Sequence, residues 1–148
     1  MRVIGIGSGK GGVGRSTLTA NLGVALADMG KATLIVDGCI TSPNQALFFN
    51  LEKGQRTIND VLMGGISVEE AVYDGPKGVK IIPASVSIDK MRKAKPSRLS
   101  QVILSQIEGY DYVLVDTPNG LRGETIAALK SCRELLLVSV PEITGVSD

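Results

Sequence analysis

The stretch GKGGVGRST, Gly9 to Thr17, decides how the rest of the chain is read. It fits the spacing G-x-x-x-x-G-K-[ST] at every fixed position but one, where Arg15 stands in place of lysine. Gly9, Gly11, Gly12 and Gly14 let successive backbone N–H groups turn inward around an anion without Cβ clashes. A helix from Arg15 onward adds the positive end of its dipole. Ser16 can offer its hydroxyl to Mg²⁺. A tight strand-to-helix turn also needs glycine. The basic residue and Ser16-Thr17 in register with the glycines favour phosphate binding over that plainer reading. The candidate phosphate-binding residues are therefore Gly9, Lys10, Gly11, Gly12, Val13, Gly14, Arg15, Ser16 and Thr17.

Outward from this loop, short apolar runs alternate with helical patterns, which indicates a parallel sheet covered on both faces. Five runs read as buried strands: Arg2–Gly7, Ala32–Asp37, Val79–Pro83, Tyr112–Asp116 and Glu134–Val140. They are nearly continuous in Val, Ile and Leu. Leu18, Leu22, Ala25, Leu26 and Met29 recur at helical spacing, and Gly30 closes that helix. Leu99, Val102, Ile103 and Ile107 form a second stripe, and Ile126 with Leu129 a third. Ser67 and Glu70 form a capping box that starts a short helix. The expected fold is a three-layer α/β domain of the P-loop type over residues 1–148, with a mostly parallel five-stranded sheet. In such sheets ligands bind beyond the carboxyl ends of the strands. The glycine loop, Asp37 and Asp116 all fall at those ends.

The 148 residues fit one domain, and 43% hydrophobic with 21% charged residues describes a globular chain. A net charge of +1 gives no support to a broad nucleic-acid-binding face. The basic run Lys90, Arg92, Lys93 and Lys95 reads as a solvated face. Cys39 and Cys132 form no CxxC pair, which argues against a disulfide framework or a zinc site within one chain. No signal h-region or membrane-spanning run is present in the sequence, so a soluble, cytoplasmic protein without a direct membrane anchor is expected.

KGGVGRST (Lys10–Thr17) resembles the deviant Walker A motif of the MinD/ParA ATPases. IVDGCITSPN (Ile35–Asn44) is similar to that family's first switch, and YVLVDTPNG (Tyr112–Gly120) to its Walker B strand and second switch. The stretch Thr57–Pro83 and the segment ELLLVSVPEIT (Glu134–Thr144) look most like the archaeal MinD branch. The resemblance implies ATP with Mg²⁺ as ligands and an ATP-dependent sandwich dimer, formed with itself or with a full-length relative. It implies that Lys10 reaches across the dimer to the partner's nucleotide and that Lys10 and Arg15 are the catalytic cations. It implies that Ser16 binds Mg²⁺ directly while Asp37 and Asp116 hold it through water. Placement of the division site is the process it suggests.

Three departures set expectations. Arg15 replaces the phosphate lysine with a bulkier planar fork. Where the family carries D-x-D, the first switch reads Asp37-Gly38-Cys39, and a thiol does not replace a water-orienting carboxylate. The chain stops at Asp148, so the base-recognising strands and membrane tail of the family are expected to be absent and the last strand to be an exposed edge. The expected function is an ATP-binding, MinD-like switch with weak or no hydrolysis. One alternative is a pseudo-ATPase interaction module. Another is a metal-cluster maturation ATPase using Cys39. A third is a dinucleotide-binding domain, because Gly7, Gly9 and Gly12 also satisfy G-x-G-x-x-G and Asp37 ends the next strand.

Overall fold

The computed structural model describes residues 1–52, 55–120 and 122–141. The final three residues of ELLLVSVPEIT lie outside them. In chain order the strands are β1 (Arg2–Gly7), β2 (Thr33–Asp37), β3 (Tyr73–Asp74), β4 (Lys80–Ile82), β5 (Tyr112–Asp116) and β6 (Glu134–Leu137). The helices are α1 (Arg15–Asp28), α2 (Gln45–Phe48), α3 (Ile58–Met63), α4 (Ile88–Lys93), α5 (Leu99–Gln106) and α6 (Gly123–Lys130). The sheet order is β3-β4-β2-β5-β1-β6, parallel except for β3.

Pleating divides the apolar strand residues between two layers. Leu34, Val36, Val113 and Val115 face α3 and α5, packing with Ile58, Leu62, Leu99 and Ile103. Ile35, Ile81 and Leu114 face α1, packing with Leu22 and Leu26. Burying both faces is why these strands read as unbroken Val, Ile and Leu, and it yields the expected three layers.

Four details differ from the sequence reading. First, the sheet has a sixth strand among the described residues. Tyr73–Asp74 doubles back on β4 through Gly75-Pro76-Lys77-Gly78, with Tyr73 opposite Ile81. Two residues are too few to show alternation. Second, α1 buries Thr19, Ala20 and Gly23 most deeply; of the expected stripe Leu22 and Leu26 are half-buried beside them, while Leu18, Ala25 and Met29 are exposed. Small residues let this helix lie close on the sheet: a Cβ on Gly23 would stand 2.4 Å from Ile35 Cδ1. Third, α6 buries Thr125, Ala127 and Ala128 and leaves Ile126 exposed. Fourth, β6 pairs only with β1 and all four of its residues are exposed. Among the described strands it is the exposed edge that the third departure leads one to expect, not the buried strand its aliphatic run suggests, and it ends at Leu137 rather than Val140.

The Ser67–Glu70 box is half made, with Glu70 accepting from the Ser67 N–H at 2.9 Å ahead of a 3₁₀ turn at Glu69–Ala71. A complete capping box, Thr57 with Asp60, starts α3. Among the described residues no helix is long and apolar enough to cross a membrane.

Candidate functional site

β1 delivers the chain to the glycine loop at the carboxyl edge of the sheet, and α1 carries it away. Gly12 and Gly14 have φ of 78° and 89°, values at which a Cβ would be strained. Gly14 precedes α1 without any side-chain cap, and its carbonyl accepts the first helical hydrogen bond from Leu18 N–H at 2.8 Å. The first-turn amides are thus left for an anion. A cavity of about 310 Å³ opens on this turn, lined by Gly12 through Thr17 together with Ser8, Asn44, Phe48 and Asn119. Gly9 and Lys10 lie outside that lining and are exposed.

Asp37 and Asp116 occupy matching positions on adjacent strands, since β2 and β5 pair in register up to these two residues. Both are fully buried, and neither lines the cavity. Asp116 is held from two sides. Arg15 Nε donates to its Oδ1 at 2.7 Å, and Gln45 Nε2 donates to its Oδ2 at 2.7 Å. The rest of the Arg15 fork reaches Ser8 Oγ at 3.1 Å, Asn119 Oδ1, and Cys39 Sγ at 3.5 Å. The basic residue of the loop therefore points inward, against Asp116 and Asn119 at and after the end of β5, Ser8 after β1 and Cys39 after β2.

Asp37 is a loop anchor. Its Oδ1 accepts from Cys39 N–H at 3.1 Å, and its Oδ2 from Asn44 and Gln45 N–H at 2.9 Å each. Burial, and then the neighbouring Asp116, push its carboxyl up to about 7, against the opposing pull of those amides. Cys39 shares the pocket: its sulfur and oxygens of Asp37 and Asp116 lie within 4.8 Å of one another. Burial first, and then Asp37, raise its thiol well above the ordinary range, so it stays protonated at neutral pH. Cys132 sits elsewhere, against Gly5 of β1, with its thiol donating to Ala128 O at 3.2 Å.

The sequence reading missed Gln45, Asn119 and Ser8. Gln45 is fully buried and bridges β5 to α1, its Nε2 also donating to Ser16 O at 3.2 Å. Asn119 lay within the quoted YVLVDTPNG stretch, yet nothing in its spacing marks it as the partner of Arg15. Across the site, Thr41 N–H and Oγ donate to Glu124 at 2.9 and 2.7 Å, tying the loop after β2 to α6.

A family model described as an AAA domain matches residues 1–147. The chain belongs to this family, within its MinD/ParA group. The new member is 43% identical, over 98% of its length, to an uncharacterised ATP-binding protein of Methanocaldococcus jannaschii. It is 34% identical, over 99% of its length, to the septum site-determining protein MinD of Thermotoga maritima. Its fold superposes on the septum site-determining protein MinD of Pyrococcus horikoshii, solved with Mg-ADP, with a TM-score of 0.94 at 41% identity, covering 99% of this chain and 60% of that one. This MinD/ParA member spans 55% of each of the two curated relatives named here.

Proposed function

We propose that the chain binds ATP with Mg²⁺ and acts as a MinD-like nucleotide switch whose hydrolysis is slow. The observation that carries this reading is the in-register pair Asp37–Asp116, joined through Arg15 and Gln45 to a glycine loop whose first helical turn has no side-chain cap. Two carboxylates and the Ser16 hydroxyl are hard oxygen donors of the kind Mg²⁺ takes. The buried, unpartnered Oε1 of Gln45 beside them fits a site that has more to hold than the protein alone supplies. Bound there, the cation would neutralise charge on the phosphates. Ser16 would contact it, with Asp37 and Asp116 behind, while the glycine-loop amides take the phosphate oxygens.

Slow turnover follows from two side chains. Arg15 is committed to four internal partners, so engaging phosphates requires it to leave Asp116. Cys39, kept protonated by burial, cannot serve as a base for water. Losing such a proton-handling group costs on the order of 100- to 10,000-fold in rate. Lys10, exposed on the loop, is placed by resemblance to reach a partner's nucleotide in an ATP-dependent dimer. Calorimetry with ATP, ADP and GTP, with and without Mg²⁺, tests binding. A steady-state turnover equal to that of an active relative would contradict the slow half.

A second reading, an interaction module that needs no nucleotide, is favoured by the exposed β6 edge with Leu135, Leu136 and Leu137. Undiminished partner capture in nucleotide-free buffer would support it. The dinucleotide reading loses its ribose contact, because Asp37 is buried and taken by three amides. The basic run gives little to nucleic acid: Lys90 pairs with Asp60 at 2.8 Å and Lys93 with Asp89 at 2.9 Å.

A further inference from the structure

Gln45 holds an unmet acceptor at the centre of this site. Its side chain is fully buried. Nε2 donates to Asp116 Oδ2 at 2.7 Å and to Ser16 O at 3.2 Å, and its backbone N–H donates to Asp37 Oδ2 at 2.9 Å. Its amide oxygen Oε1 has no partner. Buried amide oxygens nearly always find one, and an apolar side chain of the same shape would avoid the desolvation cost altogether. One residue thus touches the start of α1, the end of β2 and the end of β5, and these are the places that supply the cation's oxygens in the reading above.

We infer that Gln45 is a positioning residue of the metal site: its Nε2 fixes the Asp116 carboxylate, and its Oε1 accepts a hydrogen bond from a water in the hydration shell of Mg²⁺. This rests on the MgATP reading. Mg²⁺ gives up its waters reluctantly, and those waters are strong, directional donors. A neutral acceptor meets that need without adding a third charge beside two buried carboxylates, which glutamate would do. Outer-shell groups of this kind change metal affinity by about 10- to 100-fold when removed. The amide also reports on the loop after β2: any movement of Asp37 carries the Gln45 backbone with it, so the cation and that loop are mechanically joined.

The test compares the full chain with Gln45→Met, titrating Mg²⁺ against a fixed concentration of ATP by calorimetry. The expected result is ATP affinity without Mg²⁺ within twofold of the parent, a rise of about tenfold or more in the Mg²⁺ needed for half-maximal enhancement, and a lower melting temperature without ligand, because Asp116 Oδ2 and Ser16 O lose their donor. Identical Mg²⁺ dependence in parent and variant would overturn the inference. So would an equal loss of affinity with and without Mg²⁺, which marks a structural strut. A parent that binds no ATP, or binds it regardless of Mg²⁺, overturns the MgATP reading itself; either of the two preceding results overturns only the role of Gln45. A crystal structure of the parent with Mg²⁺ and a non-hydrolysable ATP analogue reads the same contact without any variant. Water between the cation and Oε1 supports it, and Oε1 bonded to a protein donor or left bare sinks it.

Discussion

Arg15 Nε lies 2.7 Å from Asp116 Oδ1, with both side chains almost wholly out of solvent. A residue whose motif position addresses phosphate is thus paired with a buried carboxylate at the end of β5. Charge that is buried tolerates no half-measures. Arg15→Ala strands Asp116 without its guanidinium and is expected to cost about 3–5 kcal/mol of stability. Arg15→Lys keeps a cation there and is expected to retain most of it. Urea unfolding of the nucleotide-free chain measures both. An alanine variant as stable as the parent would show that the pair contributes nothing.

Cys39 and Arg15 together account for the expected slow turnover. Arg15→Lys with Cys39→Asp is expected to raise steady-state ATP hydrolysis on the order of 100-fold. Cys39→Asp alone places another acid beside Asp37 and Asp116 in a fully buried pocket and is expected to lower stability. Phosphate release by the double variant at the parent's rate would locate the defect elsewhere.

Stability without ligand carries the signature of Asp37. Its carboxyl stands at about 7 in the folded chain against 3.8 for the free group, because of burial and then Asp116. The folded state therefore binds this proton more tightly. The contribution is complete below about pH 4 and is lost as the pH rises through 7. Relative to Asp37→Asn, which does not titrate, the parent is expected to weaken from pH 5 to about pH 7, by no more than about 1.4 kcal/mol per unit, and to level off by pH 8. Urea midpoints at four pH values decide it, and a constant gap between the two proteins would rule out a raised carboxyl.

Gly38 follows Asp37 at the end of β2, and a Cβ there would stand 2.7 Å from the Asp116 carbonyl oxygen. That oxygen already accepts the Gly38 N–H at 2.9 Å and cannot retreat. Gly38→Ala is expected to cost about 1–3 kcal/mol, as overpacking does, and to weaken MgATP binding by moving Asp37. Calorimetry and thermal unfolding on the same sample check both effects.

The architecture was legible where chemistry and pattern coincide. Glycine spacing located the loop, and unbroken aliphatic runs located β1, β2, β4 and β5, with Asp37 and Asp116 at their ends. The inward face of α1 was legible only in part: Leu22 and Leu26 pack on the sheet as their spacing predicts, but a helix lying this close to a sheet also selects small residues, and Thr19, Ala20 and Gly23 carry no apolar signal. Nor was the direction of Arg15. Its partners Ser8, Asn119 and Asp116 come from two other segments, and only the assembled sheet edge brings them together. Gln45 was invisible for the same reason: a glutamine after Pro43-Asn44 reads as an ordinary loop residue until β5 is packed against it.

The register of β1 has a consequence for how the chain is made. Arg2 pairs with Tyr112 and Ile4 with Glu134, so the earliest strand is flanked only by the two latest. At ribosomal speeds of about 5–20 residues per second, β1 waits roughly 5–20 s for β5 to emerge. Throughout that interval Val3, Ile4 and Ile6 have no sheet to enter, and Asp116 does not yet exist to receive Arg15. The centre of the sheet therefore closes late, when β5 and β6 reach β1, rather than growing strand by strand from the first residue.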